Sequence, residues 1–335
     1  GNATTLDRVI RRQFKTVEGD PFNPREIRES AERIRALGFF SKADVEAREG
    51  TSPDQVIVDV NVEEQPTGSL SFGLSYSVDS GAGATVSFSE SNFLGRGQYL
   101  SFSITAGTDS QSSQFIFAEP AFLGRDVTFR FAATHAETDQ ENGESYKTTE
   151  TMLNPSLEFP ISESGRLQVG LGVRNSKITN YLGDSAIVTA EAAEGDRLAA
   201  FLGYTYSYDS RRVGLNPNTG IVLSFSQEFA GLGGDAEYIE TTALAKVQTL
   251  AFREEVTLRA ELEGGIINML SGTSRVTDRY YLNGKIRGFE SNGIGPRDLA
   301  ATEEDALGGN MFAVARFEAE FPLGLPEEYG IRGGI

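Results

Sequence analysis

The sequence predicts a transmembrane antiparallel β-barrel that is preceded by a small α/β module. Three observations indicate the barrel: apolar and polar residues alternate over many segments after residue 65, these segments are long, and compact connections alternate with long ones. The first 65 residues instead place apolar residues at helical spacing, followed by two strand patterns. We therefore expect two units, residues 1–65 and residues 66–335.

The composition excludes several classes of protein. The chain has 335 residues, of which 39% are hydrophobic, and it contains no uninterrupted apolar run of the ~18 residues that a transmembrane helix requires. A formal net charge of -18 would repel the phosphates of nucleic acid, so nucleic acid is not an expected partner. The absence of cysteine and the single histidine exclude a disulfide framework and thiolate metal sites. We expect no cofactor, no metal and no enzymatic activity.

The α/β module contains two predicted helices followed by two predicted strands. The first helix begins near Thr4 and Asp7, which are placed as in a capping box. The second helix has Asn23 as its N-cap and ends at Gly38. The strands follow at residues 39–47 and 55–63.

The first strand of the barrel shows the alternation clearly. Leu70, Phe72, Leu74 and Tyr76 face one side, and small residues, mostly serine, face the other. A soluble β-sandwich also alternates, but its strands average about 5–6 residues, whereas these segments approach the ~9–11 residues that crossing a membrane requires. Counting the segments predicts roughly twelve strands plus the beginning of another.

The connections between strands fall into a compact set and a set with longer members. The compact set includes residues 92–97 and 121–126, each of which contains the sequence Phe-Leu-Gly-Arg. The other set includes residues 137–147, 180–196 and 271–309. A structureless connection longer than ~12–15 residues is uncommon unless it is functional or disordered. We therefore expect the function to depend on residues 271–309.

Short motifs in both units resemble those of one family. They are Glu18-Gly19-Asp20-Pro21-Phe22-Asn23 and Leu37-Gly38-Phe39-Phe40 in the module, and the Phe-Leu-Gly-Arg turns, Ile286-Arg287-Gly288-Phe289 and Gly308-Gly309-Asn310 in the barrel. Together they resemble the BamA family, in which POTRA domains precede a β-barrel; the departure is Ile286, where the family commonly has valine. The resemblance implies a POTRA domain at residues 1–65 without its first strand. It also implies that residues 66–335 belong to a 16-stranded outer-membrane barrel whose last strands are missing.

The resemblance further implies a site inside the barrel. Ile286, Arg287, Gly288 and Phe289 would belong to a loop that folds back into the lumen, where Gly288 permits a tight turn and Phe289 packs against small residues. The family pattern pairs the loop arginine with a strand carboxylate that corresponds to Glu318. The alternation of residues 311–321 also points Glu318 inward. A charge-assisted pair between these two side chains would fix the position of the loop.

The function implied by the resemblance is the insertion and folding of β-barrel proteins in the bacterial outer membrane. The POTRA domain would lie in the periplasm and receive unfolded outer-membrane proteins, with accessory lipoproteins and outer-membrane lipid as further partners. No nucleotide-binding motif is present, so the process would run without nucleotide energy. The strand from Gly68, with Leu70, Phe72, Leu74 and Tyr76, would form a weakly paired seam where a client strand is templated.

Two other functions remain open at the level of sequence. A polypeptide-exporting relative of the same superfamily would share the barrel and the loop motif, but it would carry fewer POTRA domains and serve a narrow range of clients. A passive porin would conduct ions steadily and would not need the α/β module. Among single residues, we interpret His135 as a surface residue. We interpret Glu303, Glu304 and Asp305 as a solvated acidic run rather than a calcium site.

Overall fold

The computed structural model describes residues 1–52, 55–77, 81–108, 110–139, 146–212, 219–253, 255–290, 292–324 and 331–335. The helices are α1 (Asp7–Arg11), α2 (Pro24–Ala36) and α3 (Ala186–Ala193). The strands are β1 (Phe40–Glu49), β2 (Val56–Glu64), β3 (Gly68–Ser77), β4 (Gly81–Phe93), β5 (Gln98–Gly107), β6 (Ser110–Glu119), β7 (Thr128–Asp139), β8 (Lys147–Pro160), β9 (Gly165–Thr179), β10 (Arg197–Asp209), β11 (Gly220–Gly234), β12 (Glu237–Ala251), β13 (Val256–Ser271), β14 (Met311–Pro322) and β15 (Arg332–Gly334).

The α/β module has the predicted order of helix, helix, strand, strand. The second helix begins as expected, because the side chain of Asn23 accepts a hydrogen bond from the backbone N–H of Arg25 at 3.1 Å. Gly38 follows this helix with a φ of 73°, the left-handed conformation that favours glycine. Among the described helices, none combines the length and the apolar character of a membrane span. The helices pack on the hairpin of β1 and β2 around a core that includes Val9, Ile10, Ile34, Phe39, Phe40 and Val62.

The start of α1 differs from the predicted capping box. Its N-cap residue, Leu6, makes no side-chain capping bond. The carboxylate of Glu64, at the end of β2, instead accepts hydrogen bonds from the backbone N–H groups of Ala3 (2.9 Å), Thr4 (3.0 Å) and Thr5 (2.6 Å). Burial alone would raise the pKa of Glu64, but these donors outweigh burial and lower the pKa to about 2. A carboxylate that is distant in the sequence therefore replaces the local cap.

The strands after the module form one thirteen-stranded sheet in which each strand pairs antiparallel with its neighbours in the sequence. It contains twelve long strands and the three-residue β15, which agrees with the predicted count. The long strands have between 10 and 16 residues, enough to cross a bilayer. Apolar side chains face each other across the outer surface, as in the pairs Phe72 with Val86 and Phe88 with Phe102. The sheet is the wall of a transmembrane antiparallel β-barrel.

The longest connections lie at one end of this sheet, as the sequence predicted, although that end also has the two-residue connection 235–236. Residues 94–97 join β4 to β5, whereas residues 180–196 and 272–310 form the long connections on the opposite side. Residues 140–145 of the predicted connection 137–147 lie outside the described residues, and so does Ser291. The long connections are therefore placed where the alternation of an up-and-down barrel requires them.

The helix α3 lies inside the connection 180–196, for which the sequence predicted a long connection and no helix. Ser185 caps it by accepting a hydrogen bond from the backbone N–H of Val188 at 3.2 Å. A helix of eight residues is marginal in isolation, so contacts with other parts of the chain stabilise it. Val188 is fully buried and packs with Tyr146, Ile178 and Val276. These long-range contacts explain why the local pattern did not predict the helix.

Candidate functional site

The α/β module contacts the barrel at the first Phe-Leu-Gly-Arg turn, residues 92–97. The backbone N–H of Leu6 donates to the carbonyl oxygen of Gly95 at 2.8 Å, and Nδ2 of Asn92 donates to Oγ1 of Thr5 at 2.8 Å. A Cβ atom at Gly95 would lie 1.9 Å from the carbonyl oxygen of Thr4, so only glycine fits there. These contacts hold the module against the end of the β4–β5 hairpin.

The predicted seam strand β3 lies at one edge of the sheet. Within the described part of the chain it pairs only with β4, and no ladder joins it to β15 at the other edge. An edge strand presents a row of backbone N–H and C=O groups to a further strand. The side chains of Leu70, Phe72, Leu74 and Tyr76 are between 61% and 91% exposed, as lipid-facing residues would be.

The long connection 272–310 returns to the inner face of the barrel. Its two arms meet where Tyr280 and Gly309 exchange backbone hydrogen bonds of 2.8 and 3.0 Å. The hydroxyl of Tyr280 donates to Oε1 of Glu240 on β12 at 2.8 Å, and its ring lies 4.8 Å from that of Phe312 on β14. Tyr280 therefore attaches the base of the loop to two strands of the barrel wall, β12 and β14.

Arg287 and Glu318 lie together in this region. Nη2 of Arg287 donates to Oε1 of Glu318 at 2.7 Å. The side chain of Arg287 is 85% exposed and that of Glu318 is 35% exposed. The structure thus brings the predicted pair together, and the part that this pair plays in the function stays a prediction.

The other residues of the loop motif differ in their burial and backbone conformation. Ile286 is half-buried, and Gly288 has a φ of 86°, a conformation that favours glycine. Phe289 is 61% exposed and is not packed against small lumen residues as we expected. The neighbouring cavity of about 350 Å³ is lined by Arg287 and Glu318, and Phe289 is not among the residues that line it.

The inner wall beside the loop carries a network of ion pairs that the sequence analysis did not identify. Lys285 contacts Glu263, and Arg316 contacts both Glu261 and Glu263. Lys246 also pairs with Glu261, at 2.9 Å. The alternation of β14 placed Arg316 inward, but its partners follow from the register that sets Glu261 opposite Arg316. The alternation of successive strands could have marked the inward-facing charges as candidates, but it could not have shown which of them pair.

The part of the loop just before Tyr280 contacts α3 and β10 through further ion pairs. Arg279 donates to Glu191 on α3 at 2.7 Å. Arg197 at the start of β10 donates to Asp278 at 2.8 Å, and these two side chains are only 6% and 11% exposed. Breaking one partner of such a buried pair would leave an uncompensated charge, so the pairs hold the loop in one position.

The acidic run at residues 303–305 is not uniformly solvated, and the expectation is wrong for Asp305. This residue is 0% exposed and accepts a hydrogen bond from the hydroxyl of Tyr181 at 2.8 Å. Burial, together with this hydrogen bond, raises the pKa of Tyr181 to about 12. Within the ranges that the structure describes, no group of three or more histidine, cysteine, aspartate or glutamate side chains is placed to hold a metal.

A module of two helices and a hairpin, docked on a long antiparallel meander with a loop inside, defines a POTRA-linked β-barrel. The Omp85 superfamily domain matches residues 92–334, and the POTRA family, described as a surface antigen variable number repeat, matches residues 1–65. The chain belongs to the Omp85 superfamily.

Proteins named as assembly factors are among its relatives. The outer membrane protein assembly factor BamA of Neorickettsia risticii (strain Illinois) is 28% identical over 336 residues, which cover 100% of this chain and 45% of that protein. The human sorting and assembly machinery component 50 homolog is 25% identical over 305 residues, which cover 89% of this chain and 64% of that protein. The chain spans less than half the length of the bacterial relative.

A solved structure shares the fold over nearly the whole chain. The crystal structure of BamA from Haemophilus ducreyi lacking POTRA domains 1–3 matches with a TM-score of 0.81 at 21% identity, and the match covers 99% of this chain and 68% of that one. CdiB from Acinetobacter baumannii matches with a TM-score of 0.58 at 14% identity, over 97% of this chain and 60% of that one. Both matches support the barrel architecture.

Proposed function

We propose that this chain inserts and folds β-barrel proteins in the bacterial outer membrane, without nucleotide energy. The observation that carries the proposal is the docking of the α/β module on the β4–β5 turn, with its last strand, β2, ending only three residues before the predicted seam strand β3 begins. Lipid cannot satisfy the backbone groups of an open strand edge, so pairing with a client strand is favourable there. The names of the assembly-factor relatives support the same function.

The proposed location is the outer membrane, with the POTRA domain, residues 1–65, in the periplasm and residues 66–335 forming part of the barrel. The relatives named as outer membrane assembly factors and the POTRA match support this location. Unfolded outer-membrane proteins would be the clients, and accessory lipoproteins and outer-membrane lipid the other partners. In this arrangement the module delivers a client to the periplasmic end of β3.

The experiment that tests the templating step is site-specific photo-crosslinking in lipid vesicles with an unfolded β-barrel client. The probe is placed at Ser71 on β3 and, as a matched control, at Ser103 on β5. Both serines lie opposite Ser87 of β4 and face the same side, but Ser103 also pairs with Gln114 of β6. We expect client adducts from Ser71 and not from Ser103. Equal yields at both positions, or none at either, would contradict templating at β3.

We also propose that the 272–310 loop supports client insertion through the pair of Arg287 and Glu318. The variant Arg287→Ala tests this role. Removing the guanidinium leaves Glu318 without this partner, so we expect slower client insertion or a lower melting temperature of the barrel. Unchanged insertion together with unchanged heat stability would remove the loop arginine from the mechanism. A steady ion conductance in planar bilayers, without client insertion, would instead favour the porin alternative.

A further inference from the structure

We propose that a polar cluster on the inner wall of the barrel positions the base of the 272–310 loop, and that Arg174 on β9 is its central residue. The Arg174 cluster consists of Arg174, Glu228, Tyr238 and Glu240, and Tyr280 is the loop residue that it holds. The inference deepens the proposed function, on which it rests only for the purpose of the loop. It assigns positioning residues to β9, β11 and β12, strands that lie outside the loop motif.

Arg174 is held on the wall by three neighbouring strands. Its Nη1 and Nη2 atoms donate to the two carboxylate oxygens of Glu228 on β11 at 3.1 and 3.3 Å, and Nη1 also donates to the hydroxyl of Tyr238 on β12 at 2.8 Å. That hydroxyl donates to the same carboxylate at 2.5 Å. The guanidinium lies 5.3 Å from the ring centre of Phe201 on β10. The bidentate pair, whose side chains are only 25% and 17% exposed, holds both partners in one geometry.

The rings around the cluster pack closely on the barrel wall. A Cβ atom at Gly172 would lie 2.0 Å from Cζ of Phe201, so this ring lies directly on the backbone of β9. Tyr238 is only 2% exposed. Tyr280 packs against the same apolar group that contains Phe201 and Tyr238. The base of the loop and the Arg174 cluster therefore belong to one packed unit.

The influence of Arg174 on the loop passes through two facing carboxylates. Glu228 and Glu240 are directly opposite each other where β11 pairs with β12. Like charges at such positions repel, and Glu150 on β8 adds a third carboxylate, 3.7 Å from Nε of Arg174. Because Arg174 neutralises Glu228, Glu240 can stay in place and accept the hydrogen bond of 2.8 Å from the hydroxyl of Tyr280. Arg174 thus acts on the loop through charge balance, whereas its own described contacts are with the wall.

The ring of Tyr280 lies in a groove over Gly265 on β13. A Cβ atom at Gly265 would lie 2.9 Å from Cζ of Tyr280 and 2.7 Å from Cε1 of Phe312. The backbone of Tyr280 exchanges hydrogen bonds with Gly309, so any displacement of the ring is transmitted to both arms of the loop. The groove determines where the ring lies, and Glu240 determines where its hydroxyl points.

Hydrogen–deuterium exchange of the complete chain in lipid nanodiscs tests the charge balance. The readout is the exchange rate of the backbone amides of Tyr280 and Gly309, which bind each other's carbonyl oxygens. We expect Arg174→Met to raise this rate about threefold, because Glu228 then faces Glu240 without a cation. The double variant Arg174→Met/Glu228→Gln removes both charges and should return the rate to that of the parent chain.

The matched control is Arg130→Met, the same change at an exposed arginine of β7, and it should leave both amides unchanged. A rate in the double variant as high as in Arg174→Met would show that the arginine acts by packing alone, which would overturn the proposal. An unchanged rate in Arg174→Met, or an equal rise in Arg130→Met, would overturn it as well.

Two further variants keep the test decisive if Arg174→Met prevents folding. Tyr280→Phe keeps the ring and removes only the hydroxyl, and it should raise exchange at Gly309 about tenfold. Gly265→Ala should displace the ring and have an effect of about the same size. Its control is Gly264→Ala, because neighbouring residues of a strand point to opposite faces. Unchanged exchange in Tyr280→Phe, or equal effects of the two glycine variants, would overturn the proposal.

Client insertion measured on the same samples separates this inference from the proposed function. Faster exchange at the base of the loop with undiminished insertion would support the Arg174 cluster and count against a role of the loop in insertion. Unchanged exchange would overturn the cluster's positioning role, whatever the insertion rate.

Discussion

The two Phe-Leu-Gly-Arg turns have the same four residues and the same backbone, but only the first holds the α/β module. In both turns the leucine has a φ of 54°, and the glycine has a φ of 68° or 73°. Matching backbone hydrogen bonds of 2.9 and 3.1 Å close each turn. Gly95 lies under Thr4, whereas a Cβ atom at Gly124 would meet nothing within 4 Å. The shared motif therefore determines the conformation of the turn but not whether the α/β module binds to it.

The residues that flank the motif differ between the two turns, and in the first turn the residue before it contributes a hydrogen bond to the module. Asn92 precedes the first turn, and its side chain donates to Thr5 while accepting a hydrogen bond from the backbone N–H of Gly97 at 2.8 Å. Ala121 occupies the same place before the second turn and has no polar side-chain atom. The residue after the motif differs as well: Gly97, where a Cβ atom would lie 2.4 Å from Nη2 of Arg12, corresponds to Asp126 in the second turn.

The largest effect is expected from replacing the glycine that the module covers. Gly95→Ala adds about 1–2 kcal/mol for a left-handed backbone and about 1–3 kcal/mol for the collision with Thr4, so the module should detach. The measurement is amide exchange at Leu6, whose N–H binds Gly95. The control is Gly124→Ala, which has only the backbone cost of about 1–2 kcal/mol. Equal increases of Leu6 exchange in the two variants would contradict the conclusion that the first turn holds the module and the second does not.

A smaller effect is expected from Asn92→Ala, which makes the first turn resemble the second. The loss of both side-chain hydrogen bonds should cost about 1–3 kcal/mol, because Thr5 and Gly97 lose buried partners. The amide exchange rate of Leu6 should rise, whereas the backbone amides of the turn at residues 92–97 should stay protected. The converse variant, Ala121→Asn, should leave exchange at Leu6 unaltered. Protection of Leu6 in Asn92→Ala equal to that in the parent chain would show that the amide does not select the turn.

The attachment of the N-terminal segment should also depend on pH. The pKa of Glu64 is lowered from 4.5 to about 2 in the folded protein, so its stabilising contribution is present above pH 4.5 and is lost as the pH falls towards 2. Protection of the Thr4 and Thr5 amides should decrease over this interval. In Glu64→Gln the protection should be weaker and the titration absent. A titration that persists in Glu64→Gln would assign it to another carboxyl group.

The smallest effect is expected from replacing Leu123, the leucine of the second Phe-Leu-Gly-Arg turn. Leu123 is 82% exposed and has a φ of 54°. Its left-handed backbone conformation is unfavourable, and burial of the side chain does not compensate for it. Leu123→Asn should raise the stability of the barrel by up to about 1 kcal/mol, because asparagine tolerates this conformation better. Thermal unfolding in detergent measures the change. A lower melting temperature would indicate that the leucine has a binding partner.

Several features of the fold were predictable because neighbouring residues determine them. The cap formed by Asn23, the helix end at Gly38 and the strand alternation that directs Glu318 inward depend on residues a few positions apart. The carboxylate of Glu64 that binds the start of the chain and the buried Asp305 were not predictable in the same way. Each meets a partner more than fifty positions away.

The sequence by itself determined which face of each strand meets lipid, because side chains alternate with a period of two whatever the neighbouring strand is. It also determined the order of the elements and the position of the loop motif. Only the tertiary structure decided which inward charges meet, such as Lys285 with Glu263 and Arg316. Strand register and the path of a long loop place those atoms, and neither is encoded by local periodicity.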